Sequence, residues 1–465
     1  MVGGTIRDFL RGSHQINDLD IAVDADGFEI ARALADALSA RASFVPLDRE
    51  RRTGRVVILR VPQIVIDIST FKGSTITEDL LNRDFTINAM AVNIADAIND
   101  RFSEAIIDPL LARHDLEDGI IRMCSDNSMT DDPLRMLRAF RFKAQLGFRI
   151  HDETLFRIRE SANLVQNVSG ERITDELAMI LGANRSSETV HEMAESSLLW
   201  ELFPELLAMK GFRQNAFHHL DVWEHTLEAL GKLEDIVESL PSFFEGLSGN
   251  IQDYLYEEPV TNRPRIWLLK LAVLFHDSGK PMSASIDGSG KLRFIGHERL
   301  SKQIISQISG RIKLASRELL EVSMWVEGHM RTGILTAEKP SERAVMRLCQ
   351  RFGVNLVGLV LLYLADLTAA RGPARNDMEY TRARLGARHA IELTFKREES
   401  PVRPLLDGFD LMSLFALDEG PQIGLIIKWL MTEQELGVVC TRQQAIEAVS
   451  RYITNTAGHS EHKAL

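Results

Sequence analysis

Two carboxylates one residue apart, Asp18 and Asp20, lead into the apolar stretch Ile21-Ala22-Val23. On a strand such a pair projects from a single face. Like charges held side by side repel unless a cation lies between them, and hard divalent ions with phosphate ligands are the usual reason for the arrangement. The alternative is a polar turn at Asn17-Asp18 entering an edge strand with a solvated acidic face. What comes before the pair favours the first reading. Gly3-Gly4 lets a backbone turn approach something bulky and anionic, and Arg7 adds a fixed fork of donors three residues on.

The rest of the first hundred residues reads as mixed α/β. Residues 28–40 have helical periodicity, while 55–61 and 63–70 are β-branched runs separated by Pro62 and read as paired strands. The second run carries Asp67 between Ile66 and Ile68. This third carboxylate either faces Asp18 and Asp20 from a neighbouring strand or points outward from a half-exposed one. Arg83, Asp84 and Asn88 then interrupt an apolar, helix-forming run, with Asp84 and Asn88 on one helical face. Buried polar side chains need partners, so this is a structured network or a ligand wall; Asp84 capping the following helix is the simpler reading. From about Asp108 the strands stop and the chain is helical nearly to its end. The fold class is therefore α+β, and 465 residues exceed what one core holds.

Composition narrows the class. Apolar residues make up 45% and charged residues 26% of the chain, with no low-complexity tract, so it should fold throughout. The longest apolar run, around Val354–Ala365, falls short of a membrane span, and there is no N-terminal signal pattern. Cys124, Cys349 and Cys440 are odd in number and scattered, which suits a reducing cytoplasm. A net charge of −12 argues against a chain coated in basic surface but leaves room for a local basic groove.

Asp132-Pro133 reads as a helix start, after which Arg135, Arg138 and Arg141 recur every three residues beside Met136, Leu137 and Phe140. Such a stripe suits a polyanion; a solvated basic face is the alternative for Arg138 and Arg141. Asp132 and Arg135 have a sharper use. A carboxylate only accepts hydrogen bonds and a guanidinium only donates. Cytosine and adenine each present an amino donor beside a ring-nitrogen acceptor, whereas guanine and uracil present a carbonyl beside a ring N–H. A fixed Asp-plus-Arg pair would thus accept C and A and reject G and U without a template, at roughly 1–3 kcal/mol per good bidentate pair.

A second constellation follows. His225 opens a helix after Asp221, His276-Asp277 ends an apolar one, and His297, His329 and Asp366 come later, most beside apolar runs. A lone histidine there is usually a satisfied core residue. This many imidazoles and carboxylates favour a transition-metal site, dinuclear in one version. Val237–Arg263 reads as an insertion between helices. Residues 371–403 are arginine-rich (Arg371, Arg375, Arg382, Arg384, Arg388, Arg397, Arg403), able to track a phosphate backbone or simply to be solvated. Residues 424–453 read as two amphipathic helices before a polar tail.

Taken together, these residues resemble the class II tRNA nucleotidyltransferases and bacterial poly(A) polymerases. Gly3-Gly4-Thr5-Ile6-Arg7-Asp8 with Asp18-Leu19-Asp20 is similar to the catalytic-head signature, in which the aspartates hold Mg²⁺ and the glycine turn and arginine meet the triphosphate. Arg83-Asp84-Phe85-Thr86-Ile87-Asn88 resembles the nucleotide-contacting second signature. Asp132 through Arg141 resembles the base-selecting helix, and Glu171-Arg172 with Glu176 the neck motif after it. His225, His276-Asp277 and Asp366 resemble an appended HD phosphohydrolase domain. The resemblance implies a polymerase-β-like head over 1–108, a helical neck over 109–210, an HD domain over 211–375 and a helical, tRNA-binding tail over 376–465. It implies catalytic Asp18, Asp20 and Asp67; nucleotide-binding Gly3, Gly4, Arg7, Arg83, Asp84, Asn88, Asp132, Arg135, Arg138 and Arg141; Mg²⁺ in the head; and a divalent transition metal on His225, His276, Asp277, His297, His329 and Asp366. The implied activity is template-independent transfer of CMP and AMP from CTP and ATP to a tRNA 3′ end, in the cytoplasm and away from membranes. The rivals are phosphatase or 2′,3′-cyclic phosphodiesterase action at the HD site as the main activity, and poly(A) synthesis. Asn82, Lys72 and Asp131 depart from the family pattern, the stretch between Phe71 and Glu78 is short, and the turn at Gly3 is expected to lack the helix and strand that usually precede it. These departures leave CCA, CC-only, A-only and poly(A) products open.

Overall fold

The computed structural model describes residues 1–13, 17–49, 52–60, 62–99, 102–214, 219–338, 340–370 and 377–460, apart from the side chains of 377 and 455–460. It divides into two compact units: Met1–Pro204 with Arg311–Lys313, and the remainder.

In the first unit a short helix α1 (Gly4–Leu10) leads to strand β1 (Asp18–Val23), and helix α2 (Gly27–Leu38) then crosses to β2 (Ala42–Asp48), β3 (Thr53–Ile58) and β4 (Ile64–Thr70). The sheet order is β1-β4-β3-β2, with β1 parallel to β4 and the other pairs antiparallel. Asp26 starts α2 by accepting from the Phe28 and Glu29 amides. Ala31 and Ala35 of α2 pack on Val56, Ile66 and Ile68. Strand alternation therefore sends Asp67, between two of those residues, to the opposite face.

Three expectations change here. Residues 83–91 are not a helix: only a 3₁₀ turn, Thr86–Asn88, forms, and Ala91 bridges to Val2 and Ile107. Asp84 is no helix cap; its Oδ1 accepts from the Phe85 amide at 2.8 Å and from Asn88 Nδ2 at 3.1 Å, and this local bonding competes with helix. Nor do strands end at Asp108, since Ile120–Ile121 pairs with Arg149–Ile150 and Ser285–Ile286 with Leu292–Arg293. The Asp132-Pro133 start is off by one residue: Pro133 caps the helix Leu134–Leu146, and Asp132 Oδ1 accepts from the Leu134 amide at 3.3 Å.

The second unit is built on the helices Val222–Glu238, Arg265–Phe275, Ser316–Gly328 and Leu356–Ala369 around buried Trp223, Trp267 and Trp325. The apolar run Glu342–Ala369 does pass a membrane-span test of length and composition, but 72% of its apolar window is buried and the turn Gly353–Asn355 splits it into two core helices. Residues 237–263 connect the helices Val222–Glu238 and Arg265–Phe275 and are themselves partly helical: they form Leu240–Phe243 and Ser248–Tyr256, burying Phe244, Ile251, Tyr254 and Leu255. Helices Pro421–Glu435 and Arg442–Ser460 match the two expected near the C-terminus; Trp429 and Tyr452 stack between them at 4.4 Å. In the arginine-rich segment, Arg388 donates to the Glu245 carbonyl and Arg397 to Glu435, while Arg371 and Arg375 lie outside the described residues.

Candidate active site and metal centre

The turn at Gly3 has φ +70°, the left-handed region that favours glycine. A Cβ there would lie 2.9 Å from Arg83 Nη1 and 3.0 Å from Asp20 Oδ2, so the missing side chain is what lets the guanidinium and the carboxylate approach the turn. Asp18 and Asp20 share a face of β1, and Asp67 stands directly across from Asp20 on β4. Burial, with Asp67 and Asp18 beside it, pushes the Asp20 carboxyl above its ordinary range, against the pull of Arg83. A cation placed there removes that penalty, so the donor set fits a hard divalent ion. Asp67 is already engaged: Arg55, its cross-strand partner, spans both its oxygens at 2.7 and 2.8 Å.

A chain of polar side chains runs from α1 into the helix Leu134–Leu146. Arg7 Nη1 donates to Asn88 Oδ1 at 2.8 Å, Asn88 Nδ2 to Asp84 Oδ1, and Arg138 to Asp84 Oδ2 at 2.8 and 2.6 Å. Arg138 and Arg141 both reach Glu176, at 3.6 and 3.3 Å. The arginine stripe is therefore not a simple solvated face: Arg138 and Arg141 are partly buried and matched to buried carboxylates. Burial and the neighbouring Arg138 pull the Arg141 guanidinium down to about 10, while Glu176 is pushed up by burial. The guanidiniums of Arg7, Arg138 and Arg141 all lie over the Phe142 ring, at 5.2, 5.5 and 4.5 Å.

A cavity of about 580 Å³ opens between Thr70-Phe71-Lys72, the Arg83-Asp84 segment and the start of the helix Leu134–Leu146, lined by Arg83, Asp84, Asp132, Arg135, Arg138 and Arg172. Arg83 is oriented by buried Asp79 at 2.9 Å. Arg135 is buried, with Nη1 on Ser128 Oγ at 3.0 Å and Nη2 on the Asn82 carbonyl at 2.8 Å. Asp132 Oδ2 accepts from Arg172 Nη2 at 2.8 Å. Asp132 and Arg135 thus share one cavity, whereas Gly3, Gly4, Arg7, Asn88 and Arg141, and the carboxylates Asp18, Asp20 and Asp67, are not among its lining residues.

In the second unit all six expected ligands meet. His225 Nε2 lies 2.9 Å from Asp366 Oδ1, His276 Nε2 3.2 Å from Asp277 Oδ2, and His297 Nε2 3.3 Å from Asp277 Oδ1. They form two triads, His225–His276–Asp366 and Asp277–His297–His329. The Nδ1 atoms of His276, His297 and His329 bond to the carbonyls of Val273, Phe294 and Val326 at 2.7, 2.8 and 2.7 Å. A carbonyl only accepts, so each Nδ1 carries hydrogen and each neutral ring presents a bare Nε2. Two such nitrogens, on His297 and His329, then face each other at 3.1 Å, which is repulsive unless positive charge lies beside them. Asp277 and Asp366 outweigh burial and hold His276 up at about 10, whereas burial and the two neighbouring imidazoles bring His329 down to about 3. The donor set fits a divalent metal, with outer hydrogen bonds already orienting the ligands. Gly279 is required here: a Cβ would lie 2.3 Å from the His297 carbonyl, so the His-Asp turn and the next helix touch backbone to backbone.

The sequence reading missed four participants. Arg55, Asp79 and Arg172 act through partners that only the tertiary fold supplies. Lys280, which sits 2.5 Å from Asp277 Oδ2 and lines the adjoining cavity of about 500 Å³, had a usable signal in Ser278-Gly279-Lys280 directly after His276-Asp277.

Comparison with known proteins agrees with this geometry. Residues 1–122 match the poly A polymerase head domain, 147–210 the "Probable RNA and SrmB- binding site of polymerase A", and 222–352 the HD domain. The chain is 33% identical to the A-adding tRNA nucleotidyltransferase of Deinococcus radiodurans over 98% of its own length and 96% of that protein's. It is 30% identical to the CC-adding tRNA nucleotidyltransferase of Thermus thermophilus, covering 96% and 91%. The Thermotoga maritima CCA-adding enzyme, solved with tRNA, shares the fold at a TM-score of 0.55 and 20% identity over 97% and 90% of the two chains. With a head, a neck and an HD domain in that order, the chain belongs to the family of tRNA nucleotidyltransferases and bacterial poly(A) polymerases.

Proposed function

We propose that the protein adds CMP, AMP or both to the 3′ end of tRNA, drawing on CTP and ATP, with the head over 1–108, the neck over 109–210, the HD domain over 211–375 and a tRNA-binding tail after it. The observation that carries the reading is the cavity shared by Asp132 and Arg135, an acceptor and a donor braced there with Arg83 and Arg138. Asp18 and Asp20 would hold Mg²⁺, which when bound lowers the pKa of the attacking 3′-hydroxyl and neutralises the leaving pyrophosphate. The chain's own residues do the positioning: Arg83 and Arg138 meet the phosphates, Arg7 braces Asp84 through Asn88, and Asp132 and Arg135 choose the base. Asp67, spanned by Arg55, adds to the negative charge that a cation on Asp18 and Asp20 would offset. The setting is the cytoplasm.

The deciding experiment offers tRNAs ending before CCA, after the first C and after the second C, each with CTP, ATP or both. Incorporation of C on the first two and A on the third marks a CCA enzyme; C alone or A alone marks one of the split activities, and long A tails mark a poly(A) polymerase. No incorporation on any of the three overturns the reading.

The His297–His329 contact favours a second activity, metal-dependent hydrolysis of phosphoesters at the HD site, on a divalent transition metal. His276→Ala with Asp277→Ala is expected to abolish opening of 2′,3′-cyclic ends to monoesters and release of phosphate from monoester ends, while nucleotide incorporation stays within about twofold. Equal loss of both activities would show that the sites are not independent.

A further inference from the structure

Arg172 occupies a place that helix stability does not explain. It sits in the first turn of the helix Gly170–Gly182, whose N-terminus carries the positive end of the backbone dipole and disfavours a cation. Its ion partner is Asp132, forty residues earlier, at 2.8 Å, on the same cavity as Arg135. We infer that Arg172 is a positioning residue for base selection: it fixes the plane of the Asp132 carboxylate, and it thereby sets how strictly the protein separates C and A from U and G. This rests on the transfer reading above.

The two members of the base-reading pair are braced unequally. Arg135 is buried and tied to Ser128 and to a backbone carbonyl, so its fork cannot swing. Asp132 has the Leu134 amide on Oδ1 at a long 3.3 Å and Arg172 on Oδ2. Of these two bonds the one from Arg172 is the shorter and is charge-assisted, and the Arg172 side chain is 47% exposed. A carboxylate has about four lone-pair sites, so the bond from Arg172 to Oδ2 is compatible with an exocyclic amino group bound beside it, and it sets the direction in which the carboxylate is offered. Hydrogen bonds weaken steeply as donor and acceptor misalign. A carboxylate released to rotate reads the amino group poorly and no longer holds its full repulsion against a carbonyl.

The test compares wild type, Arg172→Ala, Arg172→Lys, Asp132→Ala and the Arg172→Ala/Asp132→Ala double variant. The readouts are kcat/KM for CTP against UTP on tRNA lacking its terminal CCA, and for ATP against GTP on tRNA ending in C-C. In Arg172→Ala the preference for the amino-bearing base is expected to fall about tenfold, with Arg172→Lys recovering part of it. Adding Arg172→Ala to Asp132→Ala is expected to change the preference no further. Equal loss on both members of each nucleotide pair would mark a phosphate contact or a folding defect and overturn the inference, as would an unchanged preference. A wild-type chain that incorporates no nucleotide overturns the transfer reading and this inference with it.

Discussion

Replacing Asp18 and Asp20 together by alanine is expected to lower CTP and ATP incorporation into trimmed tRNA by at least about a thousandfold, the scale seen when a preorganised charge is removed from a reaction centre. Asp20 is the more sensitive of the two. Its carboxyl sits in a half-buried notch under Gly3, pressed by two other carboxylates, and offers its charge where a cation is most needed. Asp20→Asn keeps the volume and the strand pairing, so any loss it produces is chemical rather than architectural. Binding of the same tRNA, measured by filter retention, is expected to stay within about threefold, because the neck and tail are untouched. Incorporation near the wild-type rate in the double variant would remove the head from the reaction altogether.

The second large effect is on stability. Asp84 is buried and accepts from Arg138, Asn88 and the Phe85 amide. Asp84→Ala strips Arg138 of its main partner, and breaking a buried pair on one side costs about 3–5 kcal/mol. The Arg138 side chain keeps 31% exposure, so water and Glu176 recover part of that, and about 2–3 kcal/mol is expected in a denaturant titration of the full chain. The pH dependence separates charge from packing. Although burial opposes it, Arg138 and Asn88 hold the Asp84 carboxyl far below its ordinary value. Between the two values the unfolded chain binds more protons than the folded one, so stability rises with pH there. The contribution is complete above the unfolded carboxylate range, near pH 5, and is lost as pH falls towards the folded value. Asp84→Asn is expected to flatten that acid limb while leaving the slope above pH 6 unchanged. An acid limb as steep as wild type would mean that Asp84 is not the group responsible.

The residues that could be read from sequence alone were those whose meaning is local. Alternation of Ile66, Asp67 and Ile68 put Asp67 on the face away from its apolar neighbours, because a period of two leaves a strand residue only two faces. Whether it met Asp20 or pointed outward was settled only by the β1–β4 register, which pairs the two. The six HD-site residues announced themselves by residue type beside apolar runs. What escaped needed the register or the fold. Nothing in the chain says that Arg55 lies across from Asp67, since a one-residue slip would turn it to the other face. The pairing of Arg172 with Asp132 and of Glu176 with Arg138 and Arg141 joins distant segments. Residues 83–91 were misread as helix because their apolar spacing suits one, while the Asp84 carboxylate holds the backbone in a turn.

The relay from Arg7 through Asn88 and Asp84 to Arg138 works as a ruler. It ties the turn beside the carboxylate pair to the same helix that carries Arg135, link by link, through hydrogen bonds of 2.6–3.1 Å. The separation between the catalytic end and the base-reading end is therefore built in. A pyrimidine and the larger purine cannot be accommodated by sliding those ends apart; the difference in size has to be taken up on the opposite wall of the cavity, at Thr70-Phe71-Lys72.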